Sequence, residues 1–177
     1  LGNALREQRK LDDAVSSYHK ALDINPGFAE AHYNLGAVQQ NLGRTDEAVS
    51  RYYKALAINP DFAYAHLSLG CAQEELGRTD EAVASYHKAL VIKPDYAEVW
   101  NNLGNALNEL GKLDDAISSY HKALTIKLDF AEANYNLGNA LREQRKLDDA
   151  VSSYYKALAI KPNYVEALSN LGLALQD

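Results

Sequence analysis

Residues 137–158 read LGNALREQRKLDDAVSSYYKAL, and residues 1–22 read the same except that His19 stands in place of Tyr155. The offset of 136 residues is four times 34, and weaker copies fill the interval. The pairs Leu1-Gly2, Leu35-Gly36, Leu69-Gly70, Leu103-Gly104, Leu137-Gly138 and Leu171-Gly172 all fall 34 apart. Between those pairs, two apolar stripes alternate. Around residues 97–130, Leu103, Gly104, Leu107 and Leu110 share one helix face, and Gly111 ends that helix. Leu113, Ala116, Ile117, Tyr120, Ala123 and Leu124 then supply a second stripe. The chain therefore reads as one helical hairpin repeated, an all-α protein.

Composition agrees and narrows the function. Of 177 residues, 47% are hydrophobic, and a repeat array buries them between neighbours without a central core. With 24 acidic and 18 basic residues the net charge is -6, which offers no field to hold a phosphate backbone, so nucleic acid is not an expected partner. No apolar run approaches the roughly 20 residues that span a bilayer, so no membrane is expected. One cysteine, Cys71, allows no intrachain disulfide. The chain has no methionine, opens inside one repeat and closes inside another, and so reads as a slice of a longer protein.

Helix ends have signatures of their own. Asp95 to Glu98, Asp129 to Glu132 and Asn163 to Glu166 match the capping-box spacing, which assigns Glu98, Glu132 and Glu166 a capping role rather than ligand contact. Pro26, Pro60, Pro94 and Pro162 stand just before these places and break the preceding helix. Acidic pairs such as Asp114/Asp115 open the second helices, and Lys93, Lys127 and Lys161 close them, in accord with the helix dipole. Glycines inside first helices cost about 1 kcal/mol each, a penalty that suits close approach by another helix.

Trp100-Asn-Asn-Leu-Gly, followed by Gly111, Ala116, Tyr120, Ala123 and, in the other units, a closing proline, resembles the tetratricopeptide repeat, whose period of 34 residues this chain shares over its whole length. The resemblance implies an α-solenoid, a right-handed superhelix of about 11 helices, with first helices lining a concave groove. The units are a partial repeat (1–28), full repeats at 29–62, 63–96, 97–130 and 131–164, and a lone first helix (165–177). Three departures stand out. Leu128 replaces the closing proline, so the helix break before Phe130 is expected to be less strongly enforced. Arg9 and Arg145 replace the turn glycine of Gly43, Gly77 and Gly111. Gln39 and Gln73 take a place that Leu107 and Leu141 keep apolar, so looser packing is expected in the second and third units.

No catalytic set recurs: serines, histidines and acids never fall in a triad-like relation, so no enzyme activity is expected of this chain, and no cofactor or metal site is assigned. His32 and His66 occupy the place of Trp100, and packing is the expected role, because no second histidine lies three or four residues away. His19, His87 and His121 read as surface filler. Cys71 would face the groove as a small residue between helices.

The asparagines are the candidate binding residues. Asn34, Asn102, Asn136 and Asn170 each precede a Leu-Gly pair, with Ser68 in the remaining place, although asparagine is a mediocre helix former. Asn3, Asn105 and Asn139, just after the glycine, extend the row. Carboxamides donate and accept, so such a ladder can bracket the backbone of an extended peptide. Tyr33 and Tyr135 can stack on its side chains. Glu74, Glu75, Glu109 and Glu143, against little more than Arg142, favour a neutral to mildly basic peptide.

Chaperone-binding repeats of this family hold a carboxylate with a lysine two residues before the Leu-Gly pair; here those places hold Tyr33, Leu67, Asn101, Tyr135 and Ser169, which disfavours that reading. The asparagine ladder is similar to the repeat region of O-linked N-acetylglucosamine transferases, which implies the alternative of a substrate-selecting arm on a larger glycosyltransferase. A further alternative is head-to-tail self-association through the last helix, which keeps Leu168, Leu171 and Leu175 without a polar cap.

Overall fold

The computed structural model describes residues 2–176, with side chains from Lys10 onward. Among them every regular element is an α-helix. Unit 1, up to Lys93, holds α1 (Gly2–Ile24), α2 (Ala29–Asn41), α3 (Thr45–Ile58), α4 (Ala63–Glu75) and α5 (Thr79–Ile92). Unit 2, from Pro94, holds α6 (Ala97–Glu109), α7 (Leu113–Ile126), α8 (Ala131–Glu143), α9 (Leu147–Ile160) and α10 (Val165–Ala174). The hairpins α2/α3, α4/α5, α6/α7 and α8/α9 make the tightest helix pairs, as the two-stripe reading requires. This is an α-solenoid.

Ten helices appear where about 11 were expected, and α1 accounts for the difference. It runs unbroken through Arg9, whereas Arg145, at the equivalent place, sits in a turn with φ 62°. Lysine and arginine are good helix formers, so this sequence does not impose the turn locally. At Arg145 the neighbours impose it: α8 packs on α6, α7, α9 and α10, whereas α1 packs on α2 alone among the described helices. The Arg145 turn closes with Lys146 N–H donating to Leu141 O at 2.9 Å. Arg44 N–H to Gln39 O at 2.8 Å closes the Gly43 turn in the same way.

Three sequence expectations are corrected. The capping boxes do not form: the N-cap residues are Phe28, Phe62, Tyr96, Phe130 and Tyr164, and none makes a side-chain cap. The aromatic ring is drawn into the core at the helix entrance, as Tyr96 and Phe130 show, and this places the boundary one residue beyond the acid. Leu128 does not weaken its break. α7 ends at Ile126 in the register of Ile58, Ile92 and Ile160, with Lys127 extended and its N–H bonded to Ala123 O at 2.9 Å. Gln39 and Gln73 do not leave loose gaps where they stand. They are 3% and 1% exposed and each donates a hydrogen bond, so the packing there is polar, with Gln39 Oε1 buried without a partner.

The core of each hairpin rests on one tyrosine from the second helix. Tyr52, Tyr86, Tyr120 and Tyr154 are almost fully buried. Their rings pack against Gly36, Gly70, Gly104 and Gly138. A Cβ on those glycines would come within 2.8, 2.4, 2.5 and 2.6 Å of a ring carbon. The close approach inferred from glycine placement is thus a ring on a helix backbone. Gly172, on the lone α10, meets nothing within 4 Å. Leucines such as Leu35 and Leu103, with alanines Ala48, Ala116 and Ala150, fill the space between tyrosines. No helix of the described residues is long and apolar enough to cross a membrane.

Candidate functional site

Because each tyrosine ring crosses a glycine, its hydroxyl emerges on the face made by the first helices. In unit 2 that hydroxyl meets the residue after the glycine: Tyr120 donates to Asn105 Oδ1 at 2.9 Å and Tyr154 to Asn139 Oδ1 at 2.8 Å. Burial raises the Tyr154 phenol above its ordinary value, so it stays a donor at neutral pH. From these anchors carboxamides link one first helix to the next. Asn136 Nδ2 donates to Asn101 Oδ1 at 3.0 Å. Asn170 Nδ2 donates to Asn139 Oδ1 at 2.8 Å and to the Tyr135 hydroxyl at 3.2 Å. Asn101 in turn donates to Asn102 Oδ1 at 3.4 Å.

In unit 2 the structure thus joins Asn102 to Asn136 through Asn101, and Asn139 to Asn170, Tyr135 and Tyr154, while Asn105 is exposed and bonded to Tyr120. Asn170 Nδ2 has both N–H groups so engaged and Asn136 Nδ2 has one of its two. Their Oδ1 atoms have no intramolecular partner among the described residues and neither atom is sequestered, so both residues present an acceptor, and Asn136 an N–H beside it. Tyr135 is half-buried, its ring 5.0 Å from Tyr164 and 6.2 Å from Tyr154; it wedges helices apart more than it offers a stacking surface. Asn101, buried in the row, was not singled out from sequence. Its two neighbours, Asn102 and Trp100, drew the reading instead.

Unit 1 carries no such row. Asn34 is half-buried on α2 without a side-chain hydrogen bond among the described residues. Ser68 is half-buried on α4 near Tyr52, whose hydroxyl donates to Gln40 Oε1 at 2.8 Å and whose phenol burial raises above its ordinary value. Tyr33 is wedged between Tyr52 and Phe62, with ring centroids 6.0 and 4.9 Å away. Tyr86 meets Cys71 Sγ at 3.5 Å and the Glu74 carboxylate, and burial, chiefly, raises its phenol far above the ordinary value. Glu75 accepts from Gln40 Nε2 at 2.6 Å and from Thr45 at 3.2 Å. Two of the four acids expected to line the groove are thus already engaged. In unit 2, Arg142 and Arg145 border a hollow beside Asn139 and Glu143, so that end is mixed in charge rather than acidic. Asn3 lies outside the residues whose side chains are described.

The remaining candidates hold the scaffold. Nε2 of His32 and His66 meets the carbonyls of Pro26 and Pro60 at 3.2 and 2.9 Å, and Trp100 Nε1 donates to Pro94 O at 2.9 Å. One place on the first helix thus ties down the preceding loop. Burial holds both histidines below the ordinary value, that is, neutral. Glu98 and Glu132, freed from capping, pair with Lys127 and Lys161 at 3.4 and 4.0 Å.

A family model described as TPR repeat matches residues 2–43, 41–77, 74–111, 104–144 and 138–177. The chain belongs to the TPR repeat family. Among solved structures, this TPR chain is similar to MamA (26% identical, TM-score 0.83, 94% of this chain and 97% of that one). It is also similar to YrrB, described as a TPR protein with an unusual peptide-binding site (26% identical, TM-score 0.80, 94% and 86%). A 43-residue stretch is 40% identical to the peroxisomal targeting signal receptor of Kluyveromyces lactis, covering 24% of this TPR chain and 8% of the receptor.

Proposed function

We propose that this TPR chain is a non-catalytic scaffold that holds an extended, neutral to mildly basic peptide against the first helices of unit 2. The observation that supports this reading is the direction of the amide row. With Asn170 Nδ2 bonded twice and Asn136 Nδ2 bonded to Asn101, both residues hold a carbonyl oxygen free as an acceptor for the N–H groups of a peptide backbone, and Asn136 keeps one N–H for a backbone carbonyl. Backbone recognition tolerates varied side chains, which fits a general interaction module. The peptide-binding site in the description of YrrB is in keeping with it.

The test is fluorescence anisotropy with a set of unstructured peptides of net charge zero to about plus three. Asn102→Ala with Asn136→Ala is expected to weaken binding about 5- to 30-fold, on the basis of one to two lost hydrogen bonds, with little change in melting. Full affinity in the double alanine variant would sink the reading.

A second reading concerns α10. Val165, Leu168 and Leu175 are exposed along the face whose counterpart on α8 is covered by α9, and Gly172 lacks the tyrosine that covers Gly138. A second copy stacking there would make a heterologous, propagating contact. Light scattering that stays monomeric at high concentration eliminates it.

A further inference from the structure

A different concavity lies between second helices. In unit 1 a cleft of about 760 Å³ opens between α3 and α5, with α4 as its floor. In unit 2 one of about 610 Å³ opens between α7 and α9 over α8. The two stand in register. Leu56, His66, Leu69, Lys88 and Ile92 line the first, and Leu124, Asn134, Leu137, Lys156 and Ile160, each 68 positions on, line the second. Both volumes are in the range of about 300 to 1,000 Å³ usual for small-ligand pockets.

The unit 1 cleft differs by a polar end. Gln73 stands where unit 2 has Leu141, and a buried carboxamide is costly unless both its atoms are partnered. Gln73 meets this condition: its amide donates to the Tyr53 hydroxyl at 3.2 Å and to Glu81 Oε2 at 3.3 Å, and its carbonyl accepts from Ser85 at 2.7 Å. The result is a fixed wall of phenol and carboxylate facing apolar sides from Leu56, Ala84 and Val91, the last 84% exposed. Glu81 has no ion pair among the described residues, and Asp61 lies at the rim, against a single lining lysine, Lys88. His66 in the floor leaves Nδ1 unpartnered.

We propose that the α3/α5 cleft docks a partner segment that carries a large apolar side chain next to a cationic one, the apolar group entering between Leu56, Ala84 and Val91 and the cation meeting Glu81. Burial of the apolar group supplies affinity, and the unpaired carboxylate in a protein of net charge -6 supplies the preference for positive charge. The unit 2 cleft, with Leu141 in place of Gln73, lacks that wall.

N-acetyl-Phe-Arg-amide and N-acetyl-Phe-Glu-amide, titrated into methyl-labelled protein, test this by NMR. The basic probe is expected to shift the methyls of Leu56, Ala84 and Val91, with the acidic probe about tenfold weaker. Glu81→Gln equalises the two probes. Ala84→Trp fills the slot and abolishes the shifts at Leu56 and Val91. Should Ala84→Trp alter the far-UV spectrum, Glu81→Gln carries the test alone. Equal binding of both probes to the wild type, or shifts confined to the first helices, overturns the proposal. The variant Asn136→Leu leaves this titration unchanged, which separates its failure from failure of the peptide-binding face.

Discussion

Tyr86 in unit 1 and Tyr154 in unit 2 hold the same place over Gly70 and Gly138, yet their hydroxyls meet different chemistry: Cys71 and Glu74 in one case, Asn139 in the other. The ring on glycine is scaffold and stays constant from hairpin to hairpin. What the hydroxyl touches is decided by the residues one and four positions after the glycine: Asn105 and Asn139 in unit 2, Gln40, Cys71 and Glu74 in unit 1. The two units share a skeleton and differ in its lining.

The hardest way to break this comparison is to add a Cβ under the ring. Gly70→Ala and Gly138→Ala are each expected to cost about 1 to 3 kcal/mol by overpacking. Gly172→Ala, with nothing to meet, stabilises α10 by up to about 1 kcal/mol. Urea denaturation of the three variants checks this, and a marked difference between Gly70 and Gly138 would mean that the skeleton is not shared. Next, Arg145→Gly relieves the left-handed backbone that Gly43, Gly77 and Gly111 accept freely, and is expected to stabilise unit 2 by about 1 kcal/mol.

Cys71→Asn sharpens the comparison from the other side. It gives unit 1 the residue that anchors the unit 2 row, and peptide affinity is expected to rise severalfold in an anisotropy titration. The smallest effect is on pH. His32 and His66 have folded values below 6.5, so the unfolded chain binds more protons in that window. Their contribution is complete above about pH 6.5 and declines as pH falls through the folded values. The double variant His32→Trp with His66→Trp, which borrows the residue of Trp100, is expected to flatten that part of the melting profile.

The hairpins were legible in the sequence because apolar spacing and glycine placement are local signals. The N-caps were misread because Asp-x-x-Glu spacing is also local. Burial of Tyr96 and Phe130, which fixes the boundary, depends on what packs against them. The tyrosines were legible as core and illegible as anchors, since a hydroxyl that crosses a neighbouring helix needs that helix in place. Residues 2–24 and 138–160 make the point most directly: nearly identical sequences form one helix in the first case and a hairpin in the second. The asparagine positions were readable, but their polarity as acceptors follows from partners 31 and 35 residues away.

Trp100 has a practical consequence. It is the single tryptophan of the chain, its indole N–H is bonded to Pro94 O, and the Lys122 ammonium lies 4.2 Å from its ring centre. All three belong to unit 2, so fluorescence excited at the red edge of the indole band reports that unit alone, while far-UV ellipticity reports every helix. Melting curves recorded by the two signals in one sample thus reveal whether the array unfolds as one cooperative body or unit by unit, without any label.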